Sequence, residues 1–113
     1  MDCVFCAIVA GKIPAEFLYQ DDEIVAFRDI HPAAPVHVLV IPRRHIPSLA
    51  GMNEAEMPLI GRMAAVANRL AGGEGILEKG YRLVINSGKD GGQVVPHLHL
   101  HLLGRKRMAD ALG

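Results

Sequence analysis

Three histidines alternate with leucines near the C-terminal end of the chain, in the segment HLHLHLLG. His97, His99 and His101 are half of the six histidines in the sequence. Successive side chains of a β-strand point to opposite faces, so a strand here is predicted to place the three imidazoles on one face and the leucines in a core. Three histidines in register have no structural advantage over threonine or lysine on an exposed strand. The pattern therefore favours chemistry over a solvated surface.

Two kinds of chemistry fit this row of imidazoles: ligation of a catalytic metal, or nucleophilic attack on phosphorus by one ring. A catalytic metal site usually adds carboxylates as ligands or as groups that orient the ligands, but the preceding segment NSGKDGGQVVP offers only Asp90. That segment does supply Asn86, Ser87 and Gln93 around a glycine-rich turn, whose backbone N–H groups can converge on an anion. The sequence favours a phosphate cradle beside a nucleophile, with a metal-dependent hydrolase as the alternative.

Cys3 and Cys6 form a second candidate group, at the spacing Cys-x-x-Cys. No basic region precedes the apolar stretch of the N-terminal segment MDCVFCAIVAGKIP, so a signal peptide is not expected. The expected location is the cytoplasm, where a close cysteine pair is more typical of a metal or redox site than of a structural disulfide.

The composition argues against several classes of function. The 113 residues fit one domain, 1–113, and hydrophobic residues make up 50% of them, enough for a core without disulfides. Twelve basic and twelve acidic residues cancel, which argues against nucleic acid as a partner, because non-specific affinity for nucleic acids comes from clustered lysine and arginine. No apolar run approaches the roughly 20 residues of a membrane span, so no membrane association is expected.

Five strands and two helices are predicted to position the candidate groups. Apolar runs bounded by turn residues predict strands over 17–21, 23–30, 36–42, 81–86 and 97–103. A short helix is predicted over 3–10, ending at Gly11. Because the strands do not alternate regularly with helices, we expect an α+β fold with a five-stranded, mainly antiparallel sheet, one long helix and this short N-terminal helix.

The long helix is predicted between the third and fourth strands. Its apolar residues recur at intervals of three and four, which indicates one apolar face: Ile60, Met63, Ala64, Ala67, Leu70 and Ala71. Asn53 and Glu56 are typical of a capping box at a helix start, and the glycine pair at 72–73 predicts the end. Pro58 would remove a backbone donor in the second turn, so the start is expected to be displaced by a few residues.

The segment HLHLHLL fits the His-apolar-His-apolar-His-apolar-apolar signature of the histidine triad superfamily. Its flanks, AGKIPAEFLYQDDEIVAFRDIHPAAPVHVLVIPRRHI and GYRLVINSGKDGGQVVPHLHLHLLG, closely resemble the Hint branch, the histidine triad nucleotide-binding proteins. With DCVFC at the N-terminus, the resemblance covers nearly the whole chain. It implies hydrolysis or transfer at purine nucleoside phosphoramidates, and a homodimer with a continuous ten-stranded sheet, whose interface we expect from the long helix and the 81–86 strand.

The resemblance also implies roles for individual residues. His99 is expected to attack the α-phosphorus and form a nucleotidyl intermediate that water then cleaves. His97, His101 and His37 are expected to orient the nucleophile, contact phosphate oxygens or assist the leaving group. Asp29 is expected to accept hydrogen bonds from the ribose hydroxyls; a turn-initiating aspartate is the structural alternative. The other implied contacts are Phe5, Ile8, Phe27 and Ile30 around the base, and Asn86, Gly92, Gln93 and Val94 around the phosphate.

Two features of the sequence differ from the Hint branch, and they leave open how the leaving group is protonated and which substrate is preferred. Val94 stands where well-known members have a serine that can donate a proton to the leaving nitrogen, so either another group assists or amine departure is slower. The tail RKRMADALG lacks the aromatic, proline-rich end of some members, where substrate preference is shaped. A non-catalytic nucleotide-binding regulatory module and a dinucleoside polyphosphate hydrolase of the same superfamily are the alternatives.

Some relatives with the cysteine pair bind structural zinc through two cysteines and two histidines. The matching histidines in this sequence are His45 and His97. The resemblance therefore implies structural zinc at Cys3, Cys6, His45 and His97, in a closed tetrahedral site, with no cofactor required for the chemistry. Two unpaired buried thiols are the alternative.

Overall fold

The computed structural model describes residues 3–112 as a five-stranded antiparallel sheet with two α-helices. The strands are β1 Phe17–Gln20, β2 Ile24–Arg28, β3 Val36–Pro42, β4 Tyr81–Ile85 and β5 Leu100–Gly104, and the helices are α1 Val4–Val9 and α2 Pro58–Gly73. The order across the sheet is β1-β2-β3-β5-β4, and every neighbouring pair is antiparallel. The predicted α+β class is confirmed. Between residues 3 and 112 there is no helix with the length and hydropathy that a membrane crossing requires.

Strand β3 lies at the centre of the sheet, and all seven of its residues are buried. Because side chains alternate along a strand, β3 contributes to two cores on opposite faces. Val36, Val38 and Val40 pack on the α2 side. Leu39 and Ile41 pack on the α1 side, with Phe5 and Ile8 of that helix. His37 shares the α1 face with Leu39, so the fold directs this histidine toward the short helix rather than the long one.

The strand predicted over the histidine–leucine segment is shorter in the structure, because β5 begins only at Leu100. Before that residue the backbone leaves the sheet, and the N–H of Leu98 donates to the carbonyl of Ile46 at 2.7 Å. The expectation that all three histidines lie on one strand is therefore wrong for His97 and His99, which precede it. The three leucines do pack into the α2-side core as predicted.

The capping box predicted for the long helix is present, but it lies one turn earlier than the helix. Asn53 and Glu56 exchange two hydrogen bonds of 3.0 Å between side chain and backbone. They close a short 3-10 turn, Glu54–Glu56, and α2 then begins at Pro58. Proline is well tolerated at that position, because the first N–H groups of a helix have no partner within it. The helix ends at Gly73, as the glycine pair predicted.

Candidate active site

A cavity of about 500 Å³ opens between α1, the end of β2 and the loop that precedes β5. Ten of the eleven predicted nucleotide contacts line it: Phe5, Ile8, Phe27, Asp29, Ile30, Asn86, Gly92, Val94, His99 and His101. The exception is Gln93. Its side-chain amide donates to the carbonyls of Pro47 and Val95 at 2.7 and 3.0 Å, and its Oε1 accepts from the N–H of Gly88 at 2.9 Å. Gln93 therefore holds the shape of the loop.

The orientation of His99 is set by one hydrogen bond. Its Nδ1 lies 2.7 Å from the backbone carbonyl of His97, and a carbonyl only accepts, so Nδ1 carries the ring proton and the neutral ring has its lone pair on Nε2. Within residues 3–112 no group forms a hydrogen bond with Nε2 of His99. Every fully buried side-chain nitrogen in that range has a hydrogen-bond partner, so this Nε2 is not fully buried. Nε2 is therefore accessible from the cavity. An unprotonated imidazole nitrogen in this position is a nucleophile.

His37 and His101 form a hydrogen-bonded pair beside His99, and this pair is named the His37–His101 relay. The N–H of Ala33 donates to Nδ1 of His37 at 2.9 Å, so neutral His37 carries its proton on Nε2. That Nε2 lies 2.9 Å from Nδ1 of His101 and donates to it. Neutral His101 then has its own proton on Nε2. The relay thus presents an N–H donor to a cavity in which Nε2 of His99 presents a lone pair.

Burial keeps the relay uncharged. Burial, followed by the nearby imidazoles of His99 and His37, lowers the pKa of His101 to about 4. Burial also lowers the pKa of His37, although the Asp29 carboxylate, 3.4 Å from its Nε2, acts in the opposite direction. Both rings are therefore neutral at pH 7, and the pattern of donors and acceptors described above applies there.

One wall of the cavity is apolar. Phe5 packs edge to face on Phe27, with ring centroids 5.6 Å apart, and on His99 at 5.2 Å. Ile8 and Leu39 complete this wall. Aromatic rings prefer such offset or edge contacts, so the wall is suited to a flat aromatic group whose attached phosphate reaches the imidazoles.

A second histidine cluster lies behind the cavity, where Cys3, Cys6, His45 and His97 place their ligand atoms within 4.8 Å of one another. Nε2 of His97 donates to the carbonyl of Pro42 at 2.9 Å, which leaves the lone pair on Nδ1. Nδ1 lies 3.3 Å from Sγ of Cys3 and 3.6 Å from Sγ of Cys6. Ligands of tetrahedral zinc are about 3.5 Å apart. The soft donors, their spacing and the free lone pair all fit a zinc ion.

Asp29, His37 and His101 also bring three ligand atoms within 4.8 Å, but their hydrogen bonds argue against a metal. Ligation by Nε2 of His37 would move the ring proton to Nδ1, where it would face the N–H of Ala33. His97 is fully buried and turned to the cysteines, so the three histidines of the row do not converge on one point. The alternative of a metal-dependent hydrolase with the row as ligands is therefore disfavoured by the geometry.

The cavity also contains residues that the sequence reasoning missed. Leu39 lies opposite His101 in the β3–β5 pairing, and it could have been found from the alternation that puts it on the face of His37. Pro14, Ala15 and Val95 add to the apolar lining. These three lie in loops, where no periodic signal marks the side that faces a ligand.

Comparison with known proteins gives one consistent result. The HIT domain model matches residues 10–108. Purine nucleoside phosphoramidase of Escherichia coli (strain K12) is 43% identical over 111 residues, covering 98% of this chain and 93% of that protein. Protein HitA of Neisseria gonorrhoeae is 46% identical over 103 residues, covering 91% and 95% of the two chains. Among solved structures, a HIT family hydrolase from Legionella pneumophila Philadelphia 1 superposes with a TM-score of 0.95 at 46% identity, over 99% of this chain and 100% of that one.

Proposed function

Because the chain belongs to the HIT domain family, we propose that this nucleotide hydrolase cleaves purine nucleoside phosphoramidates through a nucleotide bound covalently to His99. The observation that carries the proposal is the cavity-facing lone pair on Nε2 of His99, fixed by the bond from Nδ1 to the carbonyl of His97. The phosphoramidase of Escherichia coli, at 43% identity, supports the choice of substrate class.

In the proposed complex the purine lies on the apolar wall of Phe5, Ile8 and Phe27. The Asp29 carboxylate, whose side chain is 20% exposed, accepts hydrogen bonds from the ribose hydroxyls. The phosphate lies between the imidazoles and the loop that contains Asn86 and Gly92. This placement brings the α-phosphorus to the end of the cavity where the nucleophile is.

The first step forms a bond from Nε2 of His99 to phosphorus and breaks the bond to the leaving nitrogen. The ring becomes an imidazolium, which the carbonyl of His97 stabilises through Nδ1–H. The Nε2–H of His101 donates to a phosphate oxygen as negative charge develops there. Val94 lines the cavity and is 88% exposed but has no hydroxyl, so we expect the leaving amine to take its proton from water.

In the second step water attacks phosphorus and the bond from phosphorus to Nε2 breaks, so that the nucleoside monophosphate leaves and His99 returns to its neutral form. The proton that this water loses neutralises the hydroxide left when the amine was protonated. His97 contributes its backbone carbonyl to both steps, while its imidazole faces the cysteines. Arg28 lines the cavity, but Glu16 and Glu74 hold its guanidinium at 2.8 and 2.7 Å. Among the described lining residues no other arginine or lysine occurs, which disfavours a polyphosphate as the leaving group.

We also propose that Cys3, Cys6, His45 and His97 hold zinc. The group would supply structure and no step of the reaction, because four protein ligands leave no open coordination position. Metal analysis of purified protein should give close to one zinc per chain; a metal-free, folded preparation would contradict this proposal.

The proposed assembly is a homodimer through α2 and β4, in the cytoplasm. β4 is an edge strand of the sheet, and its Leu83 is 37% exposed. An unpaired edge with apolar side chains favours pairing with a second copy. The Cys-x-x-Cys pair, proposed above as zinc ligands, favours a reducing compartment in which thiols do not form disulfides. Sedimentation of a monomer at micromolar concentration would contradict the dimer.

The test of the reaction is mass spectrometry of enzyme quenched during turnover of an adenosine phosphoramidate. A nucleotidyl adduct should be found on His99 and should be absent in His99→Ala. His31→Ala, which removes an exposed imidazole at the cavity, should keep the adduct. Turnover by His99→Ala would refute the mechanism. Tight binding of AMP without turnover of any phosphoramidate would instead indicate the regulatory binding module.

A further inference from the structure

The Asp29 carboxylate contacts both the cavity and the His37–His101 relay. Its Oδ1 accepts from the N–H of His31 at 2.8 Å, which fixes the side chain at the end of β2. Its Oδ2 lies 3.4 Å from Nε2 of His37. The same side chain lines the cavity. A ligand that bonds Asp29 therefore touches a group that is already in contact with the relay.

His37 has one proton to donate and two acceptors for it. Its Nδ1 is occupied as an acceptor by the N–H of Ala33, so the proton of the neutral ring is on Nε2. Nδ1 of His101 lies 2.9 Å from that nitrogen, and Oδ2 of Asp29 lies 3.4 Å from it. A carboxylate is the stronger acceptor, and the imidazole is the nearer one.

The competition between these two acceptors for the His37 proton decides how strongly His101 is held in one tautomer. When His37 donates to Nδ1 of His101, the proton of His101 is on Nε2 and faces the cavity. When Asp29 attracts the same proton, the hydrogen bond from Nε2 of His37 to Nδ1 of His101 becomes weaker. That hydrogen bond is what excludes the Nδ1–H tautomer of His101. In that other tautomer Nε2 of His101 would present a lone pair, which repels phosphate oxygens.

We propose that Asp29 and His37 are positioning residues that couple sugar recognition to the phosphate-facing proton of His101. This inference rests on the proposed function, in which Asp29 binds the ribose. A vicinal diol that donates to Oδ2 of Asp29 reduces its attraction for the His37 proton. That proton then goes to His101, whose Nε2–H is fixed toward the phosphate. The hydroxyls of the sugar thereby act on the chemical step as well as on binding.

The kinetic test compares adenosine phosphoramidate with its 2′,3′-dideoxy analogue, carrying the same amine, in single turnovers at saturating substrate. We expect the wild-type enzyme to form the His99 adduct about tenfold more slowly with the dideoxy substrate, the ratio that corresponds to the loss of one hydrogen bond. In Asp29→Asn the ratio should fall to about one, because a neutral amide oxygen attracts the His37 proton much more weakly than a carboxylate does. Equal saturated rates in the wild type, with a difference only in KM, would overturn the proposal.

A matched control is Asp90→Asn, which removes an exposed carboxylate from the loop before β5 and leaves the relay untouched. This variant should keep the roughly tenfold ratio. Loss of the ratio in Asp90→Asn as well would assign the effect to general charge and would refute a specific role of Asp29.

The spectroscopic test needs no turnover, so its failure is distinguishable from failure of the proposed reaction. In protein with ¹⁵N-labelled histidine, saturating AMP should shift His101 fully to the Nε2–H tautomer, and 2′,3′-dideoxy-AMP should leave a mixture. Ligand-free Asp29→Asn should already show the Nε2–H form. Identical His101 spectra with the two nucleotides would refute the coupling, even if the His99 adduct forms.

Discussion

His97 and His99 are two residues apart, and each donates one ring N–H to a backbone carbonyl, yet they do so from opposite nitrogens. His97 uses Nε2, which leaves Nδ1 directed at the cysteines. His99 uses Nδ1, which leaves Nε2 facing the cavity. The carbonyl partner therefore decides which lone pair each ring offers, and the surroundings decide what that lone pair does. Beside two thiols the lone pair can bind a metal ion, and in an open cavity it can act as a nucleophile.

The two clusters also differ in what they stabilise. Cys3 and Cys6 connect α1 to the segment that contains His97, and α1 supplies Phe5 and Ile8 to the cavity wall. The cysteine–histidine cluster thus supports the cavity wall through α1, and none of its four residues is part of the described cavity lining. In the proposed reaction His37, His99 and His101 act on the substrate directly or through one another. Variants of the cavity histidines should therefore leave metal binding intact, whereas variants of the cysteines should affect metal binding and, through α1, ligand binding as well. This asymmetry can be tested.

The largest expected effect is that of His99→Ala. Loss of the nucleophile should lower kcat about a thousandfold or more, while zinc content and Tm stay near the wild-type values, since His99 contributes no metal ligand. Steady-state kinetics and metal analysis on the same preparation check both. Loss of zinc in this variant would show that the clusters are not separate.

The next largest effect is expected from Cys3→Ser combined with Cys6→Ser. Half of the proposed metal ligands are removed, so zinc should be lost and the free energy of unfolding should fall by ~4 kcal/mol. Thermal unfolding should show a Tm lower by roughly 15 °C. AMP should also bind more weakly, because α1 no longer holds Phe5 in the wall. Chelator treatment of the wild type should reproduce these changes. An unchanged Tm in both the double variant and the chelator-treated wild type would contradict the metal site.

A smaller effect concerns pH. The folded pKa of His101, about 4, lies below its ordinary value of 6.5, so the unfolded chain takes up the proton first as pH falls. Stability due to this group is therefore level above pH 6.5 and decreases between 6.5 and 4, by about 2 kcal/mol once the partial exposure of the ring is allowed for. Denaturant unfolding at several pH values measures the slope. His101→Gln should reduce it; an unchanged slope would contradict the burial of a neutral ring.

The smallest effect is expected from Val94→Ser, which changes the catalytic cavity alone. A hydroxyl at this exposed position can donate a proton to the leaving amine, so kcat should rise by up to about tenfold, or ~1.4 kcal/mol of barrier. Val94→Ala is the control and should show no gain. A slower Val94→Ser enzyme would indicate that the valine side chain assists in binding the leaving group.

Much of this arrangement was predictable from local patterns. Alternation placed the leucines of the histidine segment in the core, and the glycine pair predicted the end of α2. The resemblance brought His45 and His97 together with the cysteines, and the geometry supports that group. Gln93 shows the limit of this reasoning, because a polar residue in a binding loop has the same sequence signal whether it contacts ligand or backbone.

The sequence by itself determined the number and approximate positions of the strands, the long helix and the identity of the chemical groups, because these depend on residue type and short-range spacing. The family was indicated by the resemblance of nearly the whole chain. Only the tertiary structure decided which nitrogen each histidine offers. That choice depends on single carbonyl and N–H groups distant in sequence, such as Pro42 for His97, at hydrogen-bond range. Spacing along the chain determines neither the distance nor the direction of these groups. His97 and His99 therefore have the same sequence pattern, although they offer different ring nitrogens in the fold.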